Sequence, residues 1–496
     1  MRKLPIFYSA LLLTGVNLVL RLVGTGFQVY LSGVIGAAGV GLLQLVLSVG
    51  SLALVAGIGG IRTTTMYLTA EDLGRKGPKN LHKTLVGCTI YSLICSCTAA
   101  AVLFIFSPAL AIHWIGVEES LGALRLLAAF LPVSCLCGVF TGYYTAAGRI
   151  GTLAAVEVAE QLFSMAVTWT ALQLYAGGDP GRACQAVVLG TGCGNLLTLL
   201  CLMYLLQLKP SRENTEKLAP RILRTAVPLA LADDLKTGIS TAEDLMVPKR
   251  LALYTTGALA AFGTVCGMVF PVLMFPAAVL FSLAELLIPE LARCAAAERP
   301  GRIHHLVRKS LGIGLMYGLV CGCVMILLGQ ELGLWLYNSQ DAGIWLKRYA
   351  LLAPMLYCDA IVDAMNKGLG QQVYSVRYNI LTSGLDILFL YILLPVYGMQ
   401  GYFWSFLVTH VINFVLSLRR LLLASGVKIQ PYRAMFALVS ALTGLLFALQ
   451  TGPKLGQIVV FFITFGCLAH LFGVLKMADW RWLKALIRPR KANTAP

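Results

Sequence analysis

Near the N-terminus, polar side chains recur at helical spacing inside an otherwise apolar stretch: Thr14, Asn17, Arg21, Thr25 and Gln28. Steps of three and four residues place all five on one face of a helix. A charge within hydrocarbon is costly unless it faces water or a partner, and Arg21 lies far from both ends of the stretch. The pattern predicts a cationic face lining a cavity, with Asn17, Arg21 and Gln28 as candidate substrate-binding residues. The alternative is that Arg21 makes a salt bridge or a packing contact between helices.

A second polar stripe lies in the stretch PLALADDLKTGISTAEDLMVP, which carries too many charges for a helix that faces lipid. One face of this helix holds Asp233, Lys236, Thr237, Ser240 and Asp244, with Glu243 at its margin. We interpret the face as a polar pathway, with Lys236 and Ser240 as candidate substrate-binding residues. Asp233 and Asp244 are candidates for cation coupling. The alternative is an internal ion-pair network, since Asp233 and Lys236 are spaced to pair on a helix.

Further carboxylates occur within other apolar stretches, and Asp359, Asp363 and Glu157 are the candidates among them. Carboxylate oxygens suit a proton or a hard cation such as Na⁺, so these residues also predict cation coupling. The alternative is that they neutralise Arg21 and Lys236. Isolated polar residues in later stretches, namely Asp386, His410 and Asn413, are more typical of hydrogen bonds between helices.

The composition indicates the kind of protein that positions these residues. The chain has 496 residues, of which 58% are hydrophobic and 12% are charged, and its mean hydropathy is +0.79. A soluble protein carries roughly 25% charged residues. The composition therefore excludes a soluble enzyme, a disordered chain and a nucleic-acid-binding domain. It predicts an all-α polytopic membrane protein whose net charge of +17 reflects positively charged cytoplasmic loops.

Signatures of catalysis and of resident cofactors are lacking in the sequence. There is no P-loop motif, and the 14 cysteines fall mainly inside apolar runs without a C-x-x-C spacing. We therefore expect no enzyme, no metal site and no cofactor, apart from H⁺ or Na⁺ as a coupling ion.

About fourteen transmembrane helices can be placed along the chain: 6–32, 39–66, 84–108, 121–144, 155–176, 183–208, 224–247, 256–287, 308–330, 344–369, 375–397, 401–423, 433–450 and 455–476. With these spans, 29 of the 39 lysines and arginines fall on the side of the two termini, 6 on the opposite side and 4 within spans. Because positive charge concentrates in cytoplasmic loops, both termini are predicted to be cytoplasmic in a multi-pass protein of the cell membrane.

The spans group into two related halves. We predict an N-terminal lobe of six spans at 1–208, a cytoplasmic linker at 209–223, a C-terminal lobe of six spans at 224–423, two further spans in 424–476 and a basic cytoplasmic tail at 477–496. The longest polar loops are 67–83, 209–223 and 288–307. A weak internal repeat that matches Gly41 with Gly257 favours this division, because many transporters are built from repeats.

Several segments of the chain resemble those of a known family. The segment TGVNLVLRLVGTGFQVYLSGVIGAAGVGLLQL resembles the first hairpin of the polysaccharide-exporter and lipid-flippase superfamily, which also contains the multidrug-and-toxin extruders. The segments AVPLALADDLKTGISTAEDLMVPKRL and MVFPVLMFPAAVLFSLAELLIPELARC extend the resemblance in order along the chain. The chain is most similar to the stage V sporulation protein B-like branch.

The resemblance implies two six-helix lobes around a central cavity, with spans thirteen and fourteen as an addition. The two extra spans are similar to those of peptidoglycan lipid-precursor flippases, which carry essential cavity arginines. Arg21 matches the first of these, whereas Phe27-Gln28 stands where the second is found. The resemblance thus implies a flippase that moves an undecaprenyl-pyrophosphate-linked sugar, a peptidoglycan precursor in spore cortex formation, across the membrane by alternating access. Its partners would be the lipid-linked sugar, the bilayer and cell-wall synthesis enzymes, with no nucleic acid.

Two other functions remain open from the sequence. One is a multidrug or cation antiporter of the same superfamily, which would depend on acids such as Asp363 more than on Arg21. The other is a scaffold for wall synthesis that transports nothing and would tolerate the loss of Arg21 and Lys236.

Overall fold

The computed structural model describes residues 6–75, 81–206, 218–428 and 431–474. Within these ranges the chain forms α-helices joined by short turns and contains no strand. The helices are α1 Ile6–Ile58, α2 Ile61–Arg75, α3 Leu81–Ala109, α4 Ser120–Ala146, α5 Ile150–Ala171, α6 Pro180–Tyr204, α7 Leu218–Leu251, α8 Ala258–Phe262, α9 Phe270–Met274, α10 Ala277–Ala296, α11 Pro300–Tyr337, α12 Gln340–Ala350, α13 Ala353–Gly368, α14 Gln372–Tyr397, α15 Met399–Ser425, α16 Pro431–Leu449 and α17 Lys454–Leu471. Three π-helical segments lie at Leu110–Ile115, Leu172–Ala176 and Gly263–Val269. The prediction of an all-α membrane protein is confirmed.

Helix α1 is much longer than one membrane crossing requires. It has 53 residues, whereas about 20 residues span the hydrocarbon. Its backbone leaves the helical conformation at Gly36, where φ is 69° and ψ is 175°. A positive φ is readily adopted only by glycine, so Gly36 divides α1 into two helical stretches. These stretches contain the first predicted span and most of the second.

Fewer helices meet the length and hydropathy of a membrane span than the sequence predicts. Among the described residues nine such helices occur, or ten if the bent pair Ala258–Met274 and Ala277–Ala296 forms one span. The predicted span one, from residue 18 onward, and the predicted span two fall within one continuous stretch, Leu18–Leu73. The predicted spans five, seven and ten do not meet the criterion: α5 and α7 carry acidic residues, and α12 with α13 replaces one long helix.

Two predicted loops are largely helical. Helix α2 continues to Arg75, through the first half of the predicted loop 67–83. The predicted loop 288–307 is helical except between Ala296 and Pro300, where α10 ends and α11 begins. Helix α7 begins at Leu218, inside the segment 209–223, whereas residues 207–217 and the tail at 477–496 lie outside the described residues.

The first compact unit comprises Met1–Ala278 and Arg377–His410. A cluster of buried apolar side chains lies among α2 to α7 and includes Leu68, Phe140, Tyr144, Leu202 and Ile222. Burial of this surface joins the beginning of α7 to the helices that precede it in the sequence.

The second compact unit comprises Val279–Val376 and Val411–Pro496. Its apolar cluster joins α11, α16 and α17 through side chains that include Leu319, Cys323, Ala441, Phe461 and Phe465. The last two helices therefore pack on α11 within this unit.

Candidate functional site

A polar contact joins α1 to the second charged stripe of the sequence. The Ser48 hydroxyl on α1 donates a hydrogen bond of 2.6 Å to Asp244 Oδ2 on α7. One turn earlier on α7, the Thr241 hydroxyl donates to the Ser48 carbonyl oxygen at 3.1 Å. The carboxylate of Asp244 is thus held between the two helices, as a charged group in an apolar setting requires.

Helix α1 also packs tightly against the segment that follows α8. A Cβ atom added to Gly263 would lie 2.0 Å from the Ala37 carbonyl oxygen and 2.6 Å from the Gly41 nitrogen. Gln28 donates a hydrogen bond of 3.2 Å from Nε2 to the Gly267 carbonyl oxygen. The repeat segments matched through Gly41 and Gly257 therefore lie on elements whose backbones are in direct contact.

Three cationic side chains of the first unit are exposed within the predicted membrane spans. Arg21 lies on α1, Arg62 on α2 and Lys236 on α7. Ser240 and Asp233 on α7 are exposed as well, and among the described residues Asp233 and Lys236 form no ion pair with each other. Asn17 lies on α1, but its side chain is outside the described part of the chain.

Arg62 was not singled out by the sequence patterns. It follows the Gly59-Gly60 turn, where both glycines have positive φ, and its charge acts on Glu157 of α5. An arginine two residues after a glycine pair, at the end of an apolar run, is the available signal. Elsewhere on α5, Glu160 accepts a hydrogen bond of 2.9 Å from Thr198, and Gln161 donates to the Leu20 carbonyl oxygen at 2.8 Å.

A group of carboxylates joins α7 to α14 and α15 within the first unit. Asp386 Oδ1 accepts hydrogen bonds from the hydroxyls of Ser405 at 2.5 Å and Thr409 at 3.3 Å. Glu243 on α7 interacts with Ser383 and with the charge of Asp386, and its Oε1 atom is buried without a hydrogen-bond partner. Asp386 thus makes the hydrogen bonds between helices that its isolated position predicts, and its charge also acts on Glu243, which the sequence did not indicate. The spacing of Ser405 and Thr409 on one face of α15 is the signal that was available.

The candidate acids of the second unit make local contacts. Asp363 Oδ2 forms an ion pair of 2.7 Å with Lys367 Nζ, one turn later on α13. Asp359 Oδ2 accepts a hydrogen bond of 3.4 Å from Asn413 on α15. The partners in these contacts are Lys367 and Asn413, and not Arg21 or Lys236 as the alternative interpretation predicts.

The chemistry available at these residues is binding and charge compensation. Exposed guanidinium and ammonium groups favour an anion, and hydroxyl and amide groups can orient a sugar. The described residues contain no group of three or more His, Cys, Asp or Glu side chains suited to a metal ion.

The sequence is similar to a protein family and to a sporulation protein. Residues 71–299 match a family model described as polysaccharide biosynthesis protein. Over 458 residues the chain is 20% identical to stage V sporulation protein B of Bacillus subtilis (strain 168), with 88% of each protein covered.

Two solved structures have a similar fold. The lipid II flippase MurJ in an inward closed conformation has a TM-score of 0.70 at 14% identity, covering 96% of this chain and 100% of that one. An inward-facing multidrug resistance MATE family transporter has a TM-score of 0.66 at 16% identity, covering 83% of this chain and 100% of that one. Both are transporter folds, in agreement with the expectation that the chain is not an enzyme.

Proposed function

Because the chain belongs to the multidrug/oligosaccharidyl-lipid/polysaccharide superfamily of multi-pass membrane transporters, we propose that it flips a lipid-linked sugar across the cytoplasmic membrane. The substrate proposed is an undecaprenyl-pyrophosphate-linked peptidoglycan precursor, and the context proposed is synthesis of the spore cortex. The name of the sporulation relative and the lipid II flippase of similar fold support this choice.

The main support for this proposal is the exposure of three cationic side chains in the first unit. Arg21, Arg62 and Lys236 are exposed on three different helices, α1, α2 and α7, and each lies within a predicted membrane span. Exposed charges are costly in hydrocarbon and gain most from an anionic ligand in a water-filled cavity. A pyrophosphate carries several negative charges, and arginine binds phosphate in a bidentate manner. The polyprenyl tail would remain in the lipid while the polar headgroup crosses.

Alternating access is the proposed mechanism of transport. Fourteen spans would form two pseudo-symmetric six-helix lobes and two additional C-terminal helices, with both termini in the cytoplasm. Rocking of one lobe against the other would expose the cations to each side in turn. The non-helical backbone at Gly36 and the π-helical segment Gly263–Val269 are places where helices can bend.

Cation coupling is the second part of the proposal. Asp244, Glu243 and Asp386 gather within one unit and carry hydroxyl neighbours, so that H⁺ or Na⁺ would relieve the repulsion among them. Asp363 is a weaker candidate because Lys367 already compensates its charge.

Leaflet movement of a lipid-linked peptidoglycan precursor in vesicles tests the proposal. The purified full-length chain is compared with Arg21→Ala, Arg62→Gln and the matched control Arg125→Gln. Arg125 is also an arginine on an apolar helix, but its guanidinium stacks 5.4 Å above the Phe104 ring. We expect movement by the wild type and Arg125→Gln, and rates lowered at least about tenfold by the other two variants.

The outcomes separate the candidate functions. Equal movement by all four proteins would keep the flippase but remove Arg21 and Arg62 from its cavity. No movement by folded wild-type protein would overturn the flippase, and cation-driven drug efflux in the same vesicles would then identify an antiporter.

A further inference from the structure

A cleft opens between α2 and the beginning of α7, within the first unit. Its volume is about 360 Å³, and it is lined by Tyr67, Leu68 and Glu71 on α2 and by Arg221, Arg224 and Thr225 on α7. This volume falls in the range of roughly 300–1,000 Å³ that is typical of small-molecule sites. The cleft lies outside the predicted spans 39–66 and 224–247 or at their ends, on the predicted cytoplasmic side.

An ion-pair network joins the two walls of the cleft, α2 and α7. Arg221 donates hydrogen bonds of 2.6 Å to Glu71 and 3.2 Å to Asp72. Asp72 is buried and accepts a further hydrogen bond of 2.6 Å from the Thr84 hydroxyl. Partial burial lowers the pKa of Arg221, but the hydrogen bonds and charges of Glu71 and Asp72 raise this pKa by more, so the guanidinium stays charged. The network compensates the charge of Arg221 and fixes α7 to α2 beside the cleft.

Arg224 is the cation that the network leaves without compensation. It lies one turn after Arg221, its side chain is exposed, and among the described residues it has no ion-pair partner. Tyr67 stands across the cleft with 57% of its surface exposed, and Leu223 beside Arg224 is 47% exposed. This combination suits an amphiphile with an anionic headgroup at the membrane boundary. The arginine and the phenol would contact the headgroup, and the apolar surface would contact the chains.

We propose that this cleft binds the phosphate headgroup of a membrane lipid, with Arg224 as the phosphate ligand and Tyr67 as a hydrogen-bond donor to the headgroup. The acyl or prenyl chains lie along the exposed apolar side chains of α2 and α7. Two lipids carry this chemistry: an anionic glycerophospholipid, and a polyprenyl phosphate of the kind to which the proposed substrate is linked. Binding requires no transport, so it is tested separately from the flippase.

Lipid binding to the purified full-length chain in detergent is measured by native mass spectrometry. Phosphatidylglycerol and undecaprenyl phosphate are titrated in separate arms, with phosphatidylcholine as the neutral reference. The variants are Arg224→Gln, Arg224→Lys and the matched control Arg308→Gln, which changes another exposed arginine predicted to be cytoplasmic. Thermal unfolding without added lipid establishes that each variant is folded.

We expect Arg224→Gln to weaken binding of at least one of the two phosphate lipids about tenfold. Arg224→Lys should retain most of the binding, and Arg308→Gln should bind as the wild type does. The lipid whose binding is weakened by Arg224→Gln is the lipid that the cleft binds. Binding of both lipids that is equal in folded Arg224→Gln and wild type overturns the proposal, and so does an equal loss with Arg308→Gln.

Discussion

Ser48 on α1 holds Asp244 on α7 by a hydrogen bond of 2.6 Å from its hydroxyl to the carboxylate. The carbonyl oxygen of the same serine accepts the Thr241 hydroxyl at 3.1 Å, so one residue of α1 fixes one face of α7. The contact compensates the charge of Asp244 only in part, because a neutral hydroxyl faces it. A carboxylate in this position remains available to a proton or a cation.

Replacing Asp244 separates its charge from its hydrogen bond. Asp244→Asn keeps an acceptor oxygen for Ser48 and removes the negative charge. We expect a folded protein whose transport no longer responds to an imposed pH or Na⁺ gradient across the vesicle membrane. Ser48→Ala keeps the charge, so the response should persist while stability falls by about 1 kcal/mol. An unaltered gradient response in Asp244→Asn would assign the residue to helix packing alone.

The close approach of α1 to Gly263 predicts a strong effect of a single methyl group. In Gly263→Ala the new Cβ atom would meet the Ala37 carbonyl oxygen at 2.0 Å and the backbone of Gly41. Because backbone atoms cannot move aside as a side chain can, the helices must separate, and we expect a loss of about 2 kcal/mol or more in thermal unfolding. Gly151→Ala on α5 is the control, since a Cβ atom there meets nothing within 4 Å. Similar unfolding temperatures for both variants would contradict the packing described.

Much of the fold could be predicted because apolar runs of sufficient length determine membrane helices. Residues 81–204, for example, form helices close to the predicted spans. The predicted junction of the first two spans, residues 33–38, contains the backbone break at Gly36, but the sequence did not indicate that the helix continues directly on both sides, since hydropathy does not report backbone direction. The division of one predicted span into α12 and α13 was missed for the same reason.

The candidate site could be predicted only in part. Helical spacing predicts polar faces on the segments that form α1 and α7, but spacing identifies a face and not its partner. The hydrogen bond of Ser48 to Asp244 and the effect of the Arg62 charge on Glu157 relate residues that are distant in sequence. Glu243 and Asp386 likewise lie 143 positions apart, and only the folded chain brings their charges together.

The ion-pair network at the beginning of α7 predicts a stability effect. Arg221→Gln removes the cation that faces Glu71 and Asp72, and Asp72 is then buried with the Thr84 hydroxyl as its remaining compensation. Loss of one partner of a buried pair is strongly destabilising, and partial exposure of Arg221 reduces the effect. We expect about 2 kcal/mol less stability in chemical or thermal unfolding.

A double-mutant cycle checks that this loss arises from the pair. Asp72→Asn in the Arg221→Gln background should restore part of the stability, because it removes the uncompensated charge. Additive losses in the double variant would show that the two residues act independently.

The contact of Asp363 with Lys367 predicts that a carboxylate within a candidate span is dispensable. The two side chains pair at 2.7 Å with 34% and 48% of their surfaces exposed, and an ion pair this exposed contributes at most about 0.5 kcal/mol. Asp363→Asn should therefore leave both stability and lipid-linked sugar transport near the wild-type level.

Asp386→Asn is the matched change at a carboxylate that shares its surroundings with Glu243, and there we expect the gradient response of transport to fall. An antiporter that used Asp363 for its cation would give the reverse order, with efflux lost in Asp363→Asn and retained in Asp386→Asn. Parallel vesicle assays of the two variants therefore distinguish a structural acid on α13 from a coupling acid on α14.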